Sequence, residues 1–166
     1  MMEDDLIWAP EDSDEYRAFH QAVIDGDIER VKATMKPSIG INAFHGDGYE
    51  GRTVLHEAAR EGHVEIIRFL LAHGADINVH DIDQINDNTP LINAARVPWV
   101  DAVRVLLDAG ADINARSYEM GSVLHAVLWD ASKVDERHVE TINLLLDRGL
   151  DINDNAPYGG STVVSS

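Results

Sequence analysis

A histidine followed by a glutamate, in His56-Glu57-Ala58-Ala59-Arg60, opens like the His-Glu-x-x-His run by which one helix face holds a catalytic zinc. The fifth position is Arg60, so the second imidazole is missing and the metal site is incomplete. Asp151-Ile152-Asn153-Asp154-Asn155 begins like a calcium loop, but Ala156 replaces the turn glycine and Thr162 stands at the closing acidic position. Asp81-Ile82-Asp83 with Asp87 is a local acidic cluster and reads as a solvated loop. Gly46-Asp47-Gly48 lacks the spacing and strand context of a phosphate loop. No Gly-x-Ser-x-Gly elbow occurs. With no cysteine, the chain has no thiol nucleophile, disulfide or zinc–thiolate site. These near-misses set the expectation of no catalytic residues, no metal, no cofactor and no enzymatic activity.

The elements that carry these residues belong to a chain of 166 residues, a length suited to one domain. Thirteen Lys and Arg against 30 Asp and Glu leave a net charge of −17. Such a surface repels phosphate backbones and anionic lipid headgroups, so nucleic acid and membrane are disfavoured and a basic partner is favoured. The first residues lack the basic and apolar regions of a secretory signal, and no apolar run approaches the ~18 residues of a membrane span. The expectation is a cytoplasmic monomer. Residues 1–14 form an acidic N-terminal extension interrupted by Leu6-Ile7-Trp8.

One dipeptide recurs along the remainder. Ile41-Asn42, Ile77-Asn78, Ile113-Asn114 and Ile152-Asn153 follow one another at steps of 36, 36 and 39 residues. Gly74-Ala75-Asp76, Gly110-Ala111-Asp112 and Gly149-Leu150-Asp151 precede three of them. Thr53-Val54-Leu55, Thr89-Pro90-Leu91 and Ser122-Val123-Leu124 add a third mark in constant order. Between the marks, residues 64, 67, 70 and 71 share one helical face, and Val103–Leu107 and Ile142–Leu146 repeat the pattern. Gly74, Gly110 and Gly149 stand where a left-handed C-cap belongs. A shorter helix precedes each of these, with Ala58-Ala59 and Ala94-Ala95 allowing close approach. No such unit buries its apolar face alone, so the units must stack.

Gly51 through Asn78 resembles an ankyrin repeat at almost every signature position, including Thr53-Val54-Leu55-His56 and Gly74-Ala75-Asp76-Ile77-Asn78. Residues 87–116 resemble it nearly as well, with Pro98 at a usual glycine; residues 120–154 match at both ends, and residues 15–42 match weakly. The resemblance implies an all-α solenoid of about four helix-turn-helix repeats at 15–50, 51–86, 87–119 and 120–155, joined by extended fingers. Residues 156–166 are an incomplete fifth repeat or a C-terminal cap, since Gly160-Ser161-Thr162-Val163-Val164 resembles the start of another unit. The resemblance also implies that His56, His125 and His20 tie a loop to neighbouring turns.

The repeats are not uniform. Asn42 to Thr53 and Asn78 to Thr89 are 11 residues, whereas Asn114 to Ser122 is 8, so the first two fingers are longer. Ser122 to Gly149 exceeds the equivalent spans by six residues, inserted around Trp129–Glu136. The function implied by the resemblance is binding of a protein partner on the concave surface of fingers and inner helices. Finger candidates are Phe44, His45, Asp47, Tyr49 and Glu50, then His80, Ile82, Asp83, Gln84 and Ile85, then Arg116, Tyr118, Glu119 and Met120. Inner-helix candidates are Arg60, Glu61, Arg96, Val97, Trp129 and Asp130, and Trp99 reads as capping a helix–turn junction. The net charge also fits a dedicated inhibitor, an immunity protein or antitoxin that neutralises a basic enzyme such as a nuclease.

Overall fold

A computed structural model describes residues 9, 13–46, 51–82 and 87–153. Among them are eight α-helices in four antiparallel pairs. These are α1 (Asp14–Asp25) with α2 (Ile28–Thr34), α3 (Val54–Glu61) with α4 (Val64–Ala72), α5 (Pro90–Arg96) with α6 (Val100–Asp108), and α7 (Val123–Val127) with α8 (Glu136–Asp147). Inner helices pack in the order α1, α3, α5, α7, and outer helices in the order α2, α4, α6, α8. The result is an all-α solenoid.

Composition explains the two layers. Ala58, Ala59, Ala94 and Ala95 are fully buried, and their small side chains let the inner helices approach closely. On the outer layer Ile67 and Leu70 are fully buried, Ile66 is buried too, and Val64 and Leu71 are half-buried. Burying each large aliphatic side chain stabilises the stack by about 1.5–3 kcal/mol. Gly74, Gly110 and Gly149 follow α4, α6 and α8 with φ of 91°, 96° and 89°, the left-handed conformation their positions implied.

The recurring Asn is a rivet between units. Asn42 Oδ1 accepts from the backbone N–H of Asp76 at 2.7 Å, and its Nδ2 donates to the Gly74 carbonyl at 3.2 Å. One unit further on, Asn78 Oδ1 accepts from the Asp112 N–H at 2.8 Å. The recurring Asp closes a local turn instead. Asp76, Asp112 and Asp151 each accept from the N–H two residues ahead, at 3.1, 2.9 and 2.8 Å. The start of the calcium-like run is thus the same turn as its two counterparts.

Short ladders form the fingers. β1 (His45–Gly46) pairs antiparallel with β2 (Gly51–Arg52), and β3 (Arg116–Ser117) with β4 (Gly121–Ser122). Gly51 and Ile82 exchange two backbone hydrogen bonds of 2.7 and 2.8 Å, which join the second finger to the first. The finger residues 47–50 and 83–86 lie outside the described residues, as do 154–166.

The insertion in the last unit has two destinations. Part becomes a 3₁₀ turn (Ala131–Lys133), and part extends α8 to 12 residues, against 9 in α4 and α6. Asp135 caps the extended helix, accepting from the N–H groups of Arg137 and His138.

Candidate concave binding site

The inner helices place one side chain per repeat in a column. Arg60, Arg96 and Trp129 each stand seven residues after Thr53, Thr89 and Ser122, at the C-terminal end of α3, at that of α5 and just beyond α7. Glu61, Val97 and Asp130 follow them as a second column. These six residues, with Trp99, line a groove of about 800 Å³. Every inner-helix candidate from the sequence is present in it.

Trp99 is the hinge of this arrangement. Its indole Nε1 donates to the Arg60 carbonyl at 2.8 Å, across 39 residues of chain. His63 takes the equivalent place one repeat earlier, with its Nε2 3.0 Å from the Ile24 carbonyl. Each ring lies against the glycine that ends the preceding inner helix, Gly62 under Trp99 and Gly26 under His63. A Cβ at Gly62 would lie 2.6 Å from the indole, so this glycine is required by close approach as well as by its φ of 73°. α5 leaves through Val97 at φ −103°, and Pro98, at the usual glycine position, is not left-handed.

Charge is distributed unevenly along the groove. Arg60 Nη2 pairs with Glu57 at 2.9 Å and Glu61 at 3.2 Å. Asp130 accepts from the Ser132 hydroxyl and N–H and lies 3.7 Å from Lys133. The Ser132 hydrogen bonds, with Lys133 nearby, hold the Asp130 carboxyl below its ordinary value. In the repeat between them, Asn93 and Val97 replace Glu57 and Glu61. Arg96 is exposed and has no hydrogen-bond or ion-pair partner among the described residues.

The finger candidates divide differently. Tyr118 is 70% exposed at the tip of the third finger, whereas Met120, two residues on, is buried at 3%. Phe44 is buried at 7%, and its carbonyl accepts from the Ala9 N–H at 2.8 Å. Phe44 and Met120 therefore pack inward at the finger stems, within the buried core, and are not exposed anchors. His45 is exposed and packs against His20 with ring centroids 4.1 Å apart and planes tilted by 37°. His80 is exposed and lies 3.2 Å from the Asp87 carboxylate, and Ile82 is half-buried in the bridge to Gly51. Arg116 is half-buried in β3 and Glu119 is exposed beside Tyr118. Asp47, Tyr49, Glu50, Asp83, Gln84 and Ile85 lie outside the described residues.

The histidines that opened the search for chemistry are committed to structure to differing degrees. His56 is fully buried. Its Nδ1 accepts from the Thr53 N–H at 3.1 Å and meets the Thr53 hydroxyl at 2.9 Å. Its Nε2 donates toward the carbonyls of Val79 and Asn88, both at 3.1 Å. Burial, only partly offset by the two carbonyls, pushes its pKa down to about 4. His20 instead meets its finger through a cluster of three rings, stacked with Tyr16 and tilted against His45, which also stacks with Tyr16. Burial first, then His45 and Arg60, lowers its pKa to about 4 as well. His125 is exposed and meets the Ser122 hydroxyl at its own helix start at 2.8 Å, and the loop it is expected to tie falls outside the described residues. Asp81, the first acid of the cluster in the second finger, is buried and accepts from the Asn88 N–H at 2.7 Å, so it braces the finger.

The geometry is that of a shallow groove with an exposed indole, a guanidinium without an ion-pair partner among the described residues, and a rim of acids. Among the described residues no three His, Asp or Glu side chains are grouped to hold a metal, and no helix is long and apolar enough to cross a membrane. Comparison with known families gives a match of residues 5–81 to a model of ankyrin repeats in three copies, and of residues 86–118 to a model of a single ankyrin repeat. The last helix pair, α7 and α8, lies outside both matched stretches. No curated protein matches the chain.

Proposed function

The chain belongs to the ankyrin-repeat family, whose members are generally protein–protein interaction modules, and we propose that it binds a partner protein non-catalytically on its concave surface. The observation that carries this reading is the groove of Arg60, Glu61, Arg96, Val97, Trp99, Trp129 and Asp130. Trp129 is 47% exposed there, and aromatic and arginine side chains inside a polar rim are the composition of a binding hot spot. The outward Tyr118 extends the same surface along the third finger. His45, His80, Ile82, Tyr49 and Asp83 are proposed as further finger contacts.

A narrower form of this reading is a dedicated inhibitor of a basic enzyme such as a nuclease, acting in the cytoplasm as a monomer. The net charge of −17 supports it, because charge complementarity accelerates encounter and rejects wrong partners. The test is affinity capture from a lysate of the source organism with the native chain and with Trp129→Ala, at low and at high salt. Capture of a partner by the native chain and its loss with Trp129→Ala is the expected result. Equal capture by both would place binding elsewhere. A single basic protein released by salt, whose activity the chain then titrates away, would select the inhibitor; partners retained at high salt would select an adaptor.

A further inference from the structure

The groove changes character from repeat to repeat. On α3 the guanidinium of Arg60 is neutralised by Glu57 and Glu61. On α5 the equivalent Arg96 has lost both acids, to Asn93 and Val97, and is left exposed without a partner among the described residues. After α7 the column ends in the indole of Trp129, 47% exposed, with Val97 at 36% beside it on the other wall. A partner crossing the repeats therefore passes an unmatched cation and then an uncovered apolar surface.

Building on the concave-surface reading, we propose that the groove recognises a short extended segment of a partner protein that carries a single carboxylate side chain and, about three residues away, a large apolar one. Arg96 takes the carboxylate, and Trp129 with Val97 covers the apolar side chain. The planar fork of arginine matches a carboxylate with two parallel hydrogen bonds, which places the segment in register. Packed helix axes lie ~8–10 Å apart, and a segment extended in the polyproline II form advances ~3.1 Å per residue with three residues per turn, so side chains three residues apart share one face at that separation. The rim makes the choice selective. Glu61 and Asp130 flank Arg96 in the groove, so a run of acids or a phosphorylated side chain meets repulsion where one carboxylate does not. The occupant is thus acidic at one point only, which is compatible with a partner that is basic elsewhere.

The test is selection of random 12-residue peptides displayed on phage against the immobilised full chain, followed by titration of the best synthetic peptide. The expected outcome is a shared Asp or Glu with Leu, Phe or Trp about three residues away. Changing that acid to its amide should weaken binding by about tenfold or more, as expected for one charge-assisted pair. Arg96→Ala should produce the same loss, and combining the two changes should add little further. Circular dichroism of Arg96→Ala should match the native chain, because the side chain is exposed at the end of α5. Selected peptides without an acid, with phosphomimetic acid clusters, or with binding lost on Trp129→Ala but indifferent to Arg96→Ala would overturn this inference and leave the concave-surface reading standing. Failure of the native chain to enrich any sequence would overturn this inference, whereas loss of capture of whole proteins from the lysate would overturn the concave-surface reading.

Discussion

The Trp99 indole donates its N–H to the Arg60 carbonyl at 2.8 Å and lies flat against Gly62, so one side chain of the third repeat closes the inner helix of the second. The same contact forms one wall of the groove and fixes the backbone that carries the Arg60 guanidinium. Stability and the shape of the groove are therefore coupled at this junction.

Gly62→Ala tests that junction. Its Cβ would meet the indole at 2.6 Å at a φ of 73°, so overpacking adds to left-handed strain and the expected cost is about 2–4 kcal/mol. Gly74→Ala, with nothing within 4 Å and φ of 91°, carries only the strain and should cost about 1 kcal/mol. Urea denaturation of the two variants provides the comparison. Equal costs would show that the indole yields freely.

Core and surface should separate cleanly. Leu70 is fully buried in the outer-helix layer, and Leu70→Ala should cost about 2–5 kcal/mol. Tyr118, 70% exposed, should change stability by no more than about 0.5 kcal/mol when cut to Ala, while partner binding weakens. Unfolding of Tyr118→Ala would refute its placement at the finger tip.

The Asn rivets should act between repeats. Asn78→Ala removes the acceptor for the Asp112 N–H and should cost about 1 kcal/mol. Asn42→Ala removes both bonds to the following unit and should cost more. Hydrogen exchange should localise the Asn78 effect to the Asp112 turn; a uniform loss of protection across the chain would contradict it.

Acid should destabilise the fold through buried imidazoles. His56 has a folded pKa of about 4 against an ordinary 6.5. Between these values the unfolded chain binds the proton and the folded chain does not. The stabilisation is therefore complete above about pH 6.5 and is lost as pH falls toward 4, by about 3 kcal/mol from His56 alone. His20 acts in the same direction. Urea midpoints measured from pH 7.5 to 4.5 should fall accordingly, and His56→Leu should be less stable at pH 7.5 but flatter with pH. An unchanged slope in that variant would assign the acid sensitivity elsewhere.

The sequence by itself determined the period, the helix pairs, the glycine-terminated outer helices and the columns of the concave face. It did so because a stacked repeat converts a constant sequence offset into a constant spatial position: Arg60, Arg96 and Trp129 share an offset and therefore a groove. The fingers obey no such rule. Phe44 and Met120 turn inward while Tyr118 turns outward, because all three lie just outside the two-residue ladders, where the neighbours each side chain meets set its direction. Only the tertiary structure decided that Trp99 reaches back to Arg60, that the insertion divides between a 3₁₀ turn and an extended α8, and that Arg60 pairs with both Glu57 and Glu61. Those outcomes depend on contacts between repeats that differ from one another, and a periodic pattern carries no information about the differences.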